Sequence, residues 1–141
     1  MKFLQLRIPP LPRYAGAARS ALSTFAGEQR LQAADLENLM FALGEGIANA
    51  IQHADSADEI EIRIHADGDC VIVTVADHGR GFESPPRGHV PLPSVFAEAG
   101  RGFAIMQRCT DFLDVQSDPG AGTVVTLGRR RRDGQELGTA S

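Results

Sequence analysis

The order of predicted elements in this sequence indicates an α/β fold, a two-layer sandwich in which helices cover one face of a mixed, mostly antiparallel sheet. The order is strand, two helices, two strands, a long loop, a helix and two strands, which lacks the regular alternation of a doubly wound parallel sheet. A length of 141 residues, with 43% hydrophobic and 23% charged residues, suits one globular domain. We therefore expect one domain over residues 1–128 and a basic, flexible tail over residues 129–141.

Local patterns place the elements of the first half. Alternating polar and apolar residues predict a strand over residues 2–8, ended by prolines, and a helix is expected over residues 13–26 with Gly27 as its stop. Asp35 opens a second helix that runs to about His53. One apolar stripe should face the core from this helix, made of Leu36, Leu39, Met40, Leu43, Ile47, Ala50 and Ile51.

A hairpin is the clearest prediction in the second half. Ile60, Ile62 and Ile64 alternate with charged residues, a turn follows at residues 67–69, and residues 70–76 form a β-branched run. Residues 82–99 are rich in proline and glycine, and a loop of that length is usually functional or disordered. A third helix is expected over residues 102–110. Two strands should then follow, over residues 112–117 and 123–127.

Composition and charge narrow the classes of function. The net charge of −4 argues against a nucleic-acid binder. Cys70 and Cys109 lack the C-x-x-C spacing of a zinc site and are too few for a secreted disulfide framework, which indicates a reducing cytoplasm. The apolar N-terminal run is too short for a signal peptide or a membrane span. We interpret the arginines at 129–132 as a solvated basic end, the alternative being contact with an acidic partner or nucleic acid.

Glu45, Asn49 and His53 project from one stripe of the second helix, because each four-residue step turns a helix by only about 40°. A carboxylate can act as a general base, and an amide oxygen can coordinate Mg²⁺. Gly46 stands beside them, and an interior glycine costs a helix about 1 kcal/mol relative to alanine. Close approach of a ligand or another backbone would compensate that cost. The alternative is a solvated polar face with an accidental glycine.

Three glycine-containing segments accompany that stripe. In DHGRG at residues 77–81, Asp77 can accept a hydrogen bond from an exocyclic amine such as that of adenine, and the glycines allow close approach to a flat ligand. GRG at residues 100–102 begins the third helix, whose N-terminal N–H groups favour phosphate. Thr123 follows a glycine turn and could offer its hydroxyl to a base or a water. Each segment alone is also an ordinary turn or helix entry.

Taken together and in this order, the four segments resemble the motifs of the Bergerat-fold ATPases, the group that contains gyrase B, the Hsp90 chaperones, sensor histidine kinases and MutL. FALGEGIANAIQHA resembles the N-box, VADHGRGF the G1 box, GRGFAIMQRC the G2 box and GAGTVVTL the G3 turn. The resemblance covers residues 36–127. The short length, the extra N-terminal strand and helix, and GRGFAIMQRCTDFLDV are most similar to the bacterial serine-protein kinases that act as anti-sigma factors.

This resemblance implies a role for each motif residue. Glu45 would be the catalytic base that activates a partner's serine hydroxyl, Asn49 would bind the nucleotide through Mg²⁺, and Asp77 would bind the adenine of ATP. His53 would be structural. On the phosphate side and at the hinge of a lid would lie Arg101 and Phe103. The nucleotide would also be lined by Gly79, Gly81, Gly100, Gly102 and Thr123.

The implied function is an ATP- and Mg²⁺-dependent serine-protein kinase that phosphorylates a small antagonist protein and also binds a sigma factor. No nucleic acid or membrane is expected as a partner, and a homodimer is left open. The alternative is a non-catalytic ATP-binding module, although a pure binder needs no base such as Glu45. The catalytic domain of a histidine kinase is disfavoured, because no helical segment with a phosphoacceptor histidine is evident. The loop at residues 82–99 would be the lid, with amide exchange slowed more by Mg-ATP than by Mg-ADP.

Overall fold

The structure, a computed structural model, describes residues 3–53, 58–79 and 100–132. It confirms the predicted order of elements. A single 3₁₀ turn (Pro12–Tyr14) precedes the first α-helix. The remaining elements are β1 (Phe3–Ile8), α1 (Ala15–Glu28), α2 (Ala33–His53), β2 (Ile60–Asp67), β3 (Cys70–Asp77), α3 (Gly100–Cys109), β4 (Phe112–Asp118) and β5 (Gly122–Arg130).

The five described strands form one sheet in the order β1-β2-β3-β5-β4, and every neighbouring pair is antiparallel. The expected two-layer α/β architecture is confirmed, but the expectation of a mixed sheet is wrong. The chain leaves β3 through α3 and re-enters the sheet at its far edge as β4. The next strand, β5, then fills the place between them. β3 and β4 therefore run in the same direction without being neighbours, and no described pair is parallel.

The core lies between the helices and one face of the sheet. Ile60, Ile62 and Ile64 are fully buried, as their alternation with charged residues predicts. A Cβ built on Gly46 of α2 would lie 3.6 Å from Cγ2 of Val75, at van der Waals distance. The glycine therefore lies at the contact between helix and sheet, and core packing compensates its low helix propensity.

Two helices begin earlier than the sequence indicates. Asp35 lies inside the first turn of α2, because the N–H of Leu36 already donates to the carbonyl of Gln32 at 2.8 Å. α3 begins at Gly100 despite the low propensity of glycine, and its Phe103 is fully buried, so tertiary packing supports the helix. Among the residues that the structure describes, none of the helices has the length and apolarity needed to cross a membrane.

The interpretation of residues 129–132 as a solvated basic end is wrong. β5 continues to Arg130, and the Nε of Arg129 lies 2.8 Å from Oδ1 of Asp35, a carboxylate that is only 2% exposed. Arg132 lies 3.3 Å from the same oxygen, and Arg131 donates to the carbonyl of Gln29. A buried carboxylate needs a cation, and this arginine segment, residues 129–132, supplies two. The rest of the expected tail, residues 133–141, and the expected lid, residues 82–99, lie outside the described residues.

Candidate functional site

Glu45 lies on α2 directly against the first turn of α3. A Cβ built on Gly102 would lie 3.0 Å from Oε1 of Glu45, so glycine at this position leaves the room that the carboxylate occupies. The N–H groups at a helix N-terminus lack partners within the helix and carry the positive end of its dipole. The structure therefore brings together the candidate base and the helix start that the sequence predicts for phosphate.

Asn49 follows Glu45 by about one helical turn and is only 6% exposed. Its Oδ1 is buried and has no hydrogen-bond partner among the described residues. Leaving a buried acceptor unpaired costs about 1–3 kcal/mol, so this oxygen suits a water or a hard cation. Within the described part of the chain, no three His, Cys, Asp or Glu side chains are grouped to hold a metal. Asn49 fits Mg²⁺ as a single protein ligand, the others being waters and phosphate oxygens.

Asp77 ends β3 and is 6% exposed. Its Oδ1 accepts a hydrogen bond of 2.8 Å from the N–H of Gly79, and the N–H of Thr123 also donates to the carboxylate. Burial raises the pKa of Asp77, although both hydrogen bonds act to lower it. A carboxylate has about four acceptor positions, so it can still accept the amine of a purine.

Two glycines allow the main chain around Asp77 to approach other elements closely. A Cβ on Gly79 would overlap the carbonyl oxygen of His53 at the end of α2. Gly122 has a φ of 82°, and a Cβ there would overlap the carbonyl oxygen of Asp77 itself. The Asp77 turn is therefore held between α2 and the turn that joins β4 to β5. Gly79, predicted as a nucleotide contact, has this packing role in the structure.

Thr123 is only 2% exposed, and its hydroxyl lies 2.8 Å from Oγ of Ser117, its partner in the β4–β5 register. The predicted offer of this hydroxyl to a base or a water is therefore not what the structure shows. Thr123 contributes its backbone N–H to Asp77, and Ser117 donates to the carbonyl of Gly122 at 3.1 Å. The sequence analysis missed Ser117, since only the strand register reveals that it faces Thr123.

The remaining predicted residues divide into three groups. Phe103 lies in the hydrophobic core with no exposed surface, so its ring belongs to the core and not to a phosphate site or a hinge. Gly100 and Arg101 form the first turn of α3, as predicted. Gly81 lies outside the described residues. The structure thus brings Glu45 and Gly102 together at one end of the α2 stripe, and Asp77, Gly79 and Thr123 at the other.

An open groove of about 470 Å³ adjoins Glu45, and the sequence analysis did not predict it. Phe41 lines it and is 59% exposed, an unusual position for a large aromatic side chain on a helix of the core layer. The other lining residues are Arg19, Glu37, Met40, Gly44 and Glu45.

Comparison with known proteins identifies the family. A family model of the histidine kinase-like ATPase domain matches residues 8–129. The chain belongs to this family. The Bergerat-fold resemblance drawn from the four motifs is thereby confirmed, and the nucleotide of this histidine kinase-like ATPase is ATP.

Curated relatives match along most of this ATPase. The serine-protein kinase RsbW of Bacillus licheniformis is 31% identical over 144 residues, covering 93% of this chain and 89% of the relative. RsbW of Bacillus subtilis is 29% identical over 134 residues, covering 88% of this chain and 84% of the relative. The anti-sigma F factor of a Thermoanaerobacter species is 30% identical over 115 residues, covering 78% and 80%.

Solved structures support the fold. The RsbU and RsbW domains of Rv1364c from Mycobacterium tuberculosis match with a TM-score of 0.71 at 20% identity, over 94% of this chain and 34% of that longer one. The histidine kinase domain of a blue-light activated kinase from Erythrobacter litoralis matches with a TM-score of 0.54 at 22% identity, over 88% of this chain and 62% of the other. Both show that the five-stranded sheet with its helix layer is the fold of this family.

Proposed function

We propose that the chain is an ATP- and Mg²⁺-dependent serine-protein kinase that phosphorylates a small antagonist protein and acts as an anti-sigma factor in the cytoplasm. One observation carries the proposal: the carboxylate of Glu45 lies against Gly102 in the first turn of α3. A general base is thus adjacent to a helix N-terminus suited to phosphate, which is what phosphoryl transfer to a hydroxyl requires. The names of the relatives, serine-protein kinase and anti-sigma F factor, support it.

Each end of the α2 stripe has its own task in this proposal. Asp77 accepts a hydrogen bond from the amine of adenine, and the N–H groups at the start of α3 bind phosphate oxygens. Glu45 accepts the proton of the serine hydroxyl as the hydroxyl attacks the terminal phosphorus. Asn49 holds Mg²⁺, which supplies charge neutralisation on the phosphates. The stripe therefore aligns the purine end, the metal and the base along one rigid helix.

The groove beside Glu45 supports an approach path for the protein substrate. Its walls combine the apolar surfaces of Met40 and Phe41 with the cationic Arg19. An acceptor segment with an apolar side chain and a carboxylate fits such walls, because apolar contact and ion pairing would then act together. A serine in that segment would reach the same carboxylate that faces α3.

The deciding experiment is phosphorylation of a natural substrate. The protein is incubated with Mg²⁺ and labelled ATP in a lysate from its own source organism, and phosphoserine products are identified by mass spectrometry. We expect one small protein to be labelled by the parent chain. Glu45→Gln should abolish labelling while Mg-ATP binding, measured by calorimetry, remains at the parental affinity, because the base acts on the acceptor and not on the nucleotide. Labelling by Glu45→Gln at the parental rate would refute the kinase and leave an ATP-binding module that acts through nucleotide-dependent protein contacts.

A homodimer is the second part of the proposed assembly. β1 is an edge strand, and its Phe3 and Leu4 are 49% and 36% exposed beside a groove of about 480 Å³ against α1. An edge strand with apolar side chains favours pairing with another strand, and a second copy supplies the same edge. Sedimentation analysis should give a dimer for the parent chain and a monomer for Leu4→Lys. The matched change Ser23→Lys, on the exposed side of α1 away from this groove, should leave the dimer intact.

A further inference from the structure

The last residue of α2 contacts the turn that carries Asp77. The carbonyl oxygen of His53 packs so closely against Gly79 that a Cβ there would overlap it, and the N–H of Gly79 in turn donates to Asp77 at 2.8 Å. The Nε2 of His53 is buried and has no hydrogen-bond partner within residues 3–53, 58–79 and 100–132. A side chain without a partner is therefore attached to the residue on which this turn rests.

We propose that His53 is a positioning residue of the purine end, which fixes the orientation in which the Asp77 carboxylate accepts the adenine amine. The inference rests on the proposed binding of ATP at this site. His53 follows Asn49 by four residues, about 6 Å along the helix axis. Because Glu45, Asn49 and His53 lie on one helix, a contact between His53 and the Asp77 turn sets the distance from the purine end to the base and the metal ligand. An unpaired buried nitrogen at this point is available to the bound nucleotide or to a water beside it.

The surroundings of Asp77 indicate which side chain performs this task. Four groups act on the carboxylate: the backbone N–H groups of Gly79 and Thr123, and the side chains of His53 and His78. The two N–H groups fix the position of the carboxylate from β5 and from its own turn. His78 is exposed, so solvent screens its charge, whereas the ring nitrogen of His53 is buried. Of the two histidines, His53 is the one that can influence the orientation of Asp77 through a fixed contact.

Nucleotide affinities measured without Mg²⁺ test this role, because EDTA removes any contribution from Asn49. ATP, ADP and GTP are titrated into the parent chain, His53→Ala, His53→Gln and the control Gln52→Ala, an exposed position on the same turn of α2. His53→Ala should weaken ATP and ADP alike by about tenfold, the size expected for one hydrogen bond to a charged group. It should also reduce the preference for ATP over GTP, because a misdirected Asp77 no longer selects the amine. His53→Gln, which keeps a hydrogen-bonding group, should restore most of both, and Gln52→Ala should match the parent.

Thermal unfolding of each variant without ligand separates this effect from loss of the fold. If His53→Ala does not fold, His53→Gln still decides the matter, since the proposal requires it to bind ATP with the parental preference. A His53→Ala variant that binds every nucleotide as the parent does would overturn the proposal. So would an equal loss for ATP and GTP, which would indicate a merely structural histidine. Failure of the parent chain itself to bind ATP would instead refute the proposed function.

Discussion

The Nε of Arg129 lies 2.8 Å from Oδ1 of Asp35, two residues that are 94 positions apart in the sequence. The Nη1 of Arg129 also donates to the carbonyl of Cys109 at 3.4 Å. One guanidinium therefore joins the start of α2 to the end of α3, the two helices whose other ends bring Glu45 and Gly102 together. The ion pair lies far along both helices from the candidate site and supports it mechanically.

Asp35→Asn should lower the free energy of unfolding by about 3 kcal/mol, because it leaves the guanidinium of Arg129 largely buried without its main partner. Urea denaturation measures the change. Arg7→Gln provides the control: it removes the ion pair between Arg7 and Glu61, in which the arginine side chain is 62% exposed. That pair should contribute less than about 1 kcal/mol. Equal losses in the two variants would contradict the assignment of Asp35 and Arg129 as a supporting pair.

Asp77→Asn should lose most of the affinity for ATP while the protein stays folded. A hydrogen bond to a charged acceptor contributes about 1.5–3 kcal/mol, so the dissociation constant should rise by about ten- to over a hundredfold. Calorimetric titration with ATP and GTP measures it, and the parent chain should bind GTP much more weakly, since guanine has an oxygen where adenine has the amine. Unchanged ATP affinity in Asp77→Asn would remove this residue from the site.

The same residue should carry a pH-dependent stability penalty. Burial raises the folded-state pKa of Asp77 above its ordinary value of 3.8, so the folded protein holds this proton more tightly than the unfolded chain. Relative to Asp77→Asn, the parent chain should therefore be most stable below pH 3.8 and should lose stability as pH rises through the raised folded pKa. Unfolding free energies of both proteins across this range measure the difference. A difference that grows with rising pH would show that the sign is wrong.

Gly122 and Gly120 form a matched pair for testing close approach. Their φ angles are 82° and 80°, but a Cβ on Gly122 would overlap the carbonyl oxygen of Asp77, whereas one on Gly120 has open space. Alanine at either position costs about 1–2 kcal/mol for the left-handed conformation. Only Gly122→Ala should also displace Asp77 and weaken ATP binding, by about tenfold or more, as expected for the loss of one hydrogen bond. Equal ATP affinity in the two variants would show that this contact does not position the site.

Asn49→Ala should abolish the gain in ATP affinity that Mg²⁺ provides. The variant loses the buried oxygen that fits the cation, so its ATP affinity in Mg²⁺ should fall to the value measured in EDTA. Because Oδ1 of Asn49 has no partner within the described residues, its removal should have little effect on folding stability. A persistent Mg²⁺ effect in Asn49→Ala would assign the cation to other ligands.

Local patterns in the sequence were sufficient for the fold and for the α2 stripe. Alternation of Ile60, Ile62 and Ile64 with charged residues defines a strand with one buried face, and helical periodicity defines α2. The antiparallel pairing of every described strand could not be predicted, since periodicity identifies a buried face and not the neighbouring strand. The partners of Arg129 and the pairing of Ser117 with Thr123 depend on that register, so four consecutive arginines read as a solvated end. Gly79 was predicted for its chemistry, but its contact with His53 exists only in three dimensions.

The position of β5 inside the sheet has a consequence for biosynthesis. Protein chains emerge from the ribosome starting at the N-terminus, and β5 is the last of the five described strands to be made, yet it separates β3 from β4. Until residue 130 has emerged, β3 has an open edge, β4 has no neighbour in the sheet, and Asp35 lacks its cation. The nascent domain therefore cannot be completed progressively as it emerges. Its final strand inserts between two waiting strands, which makes this insertion a late and sequence-distant step of folding.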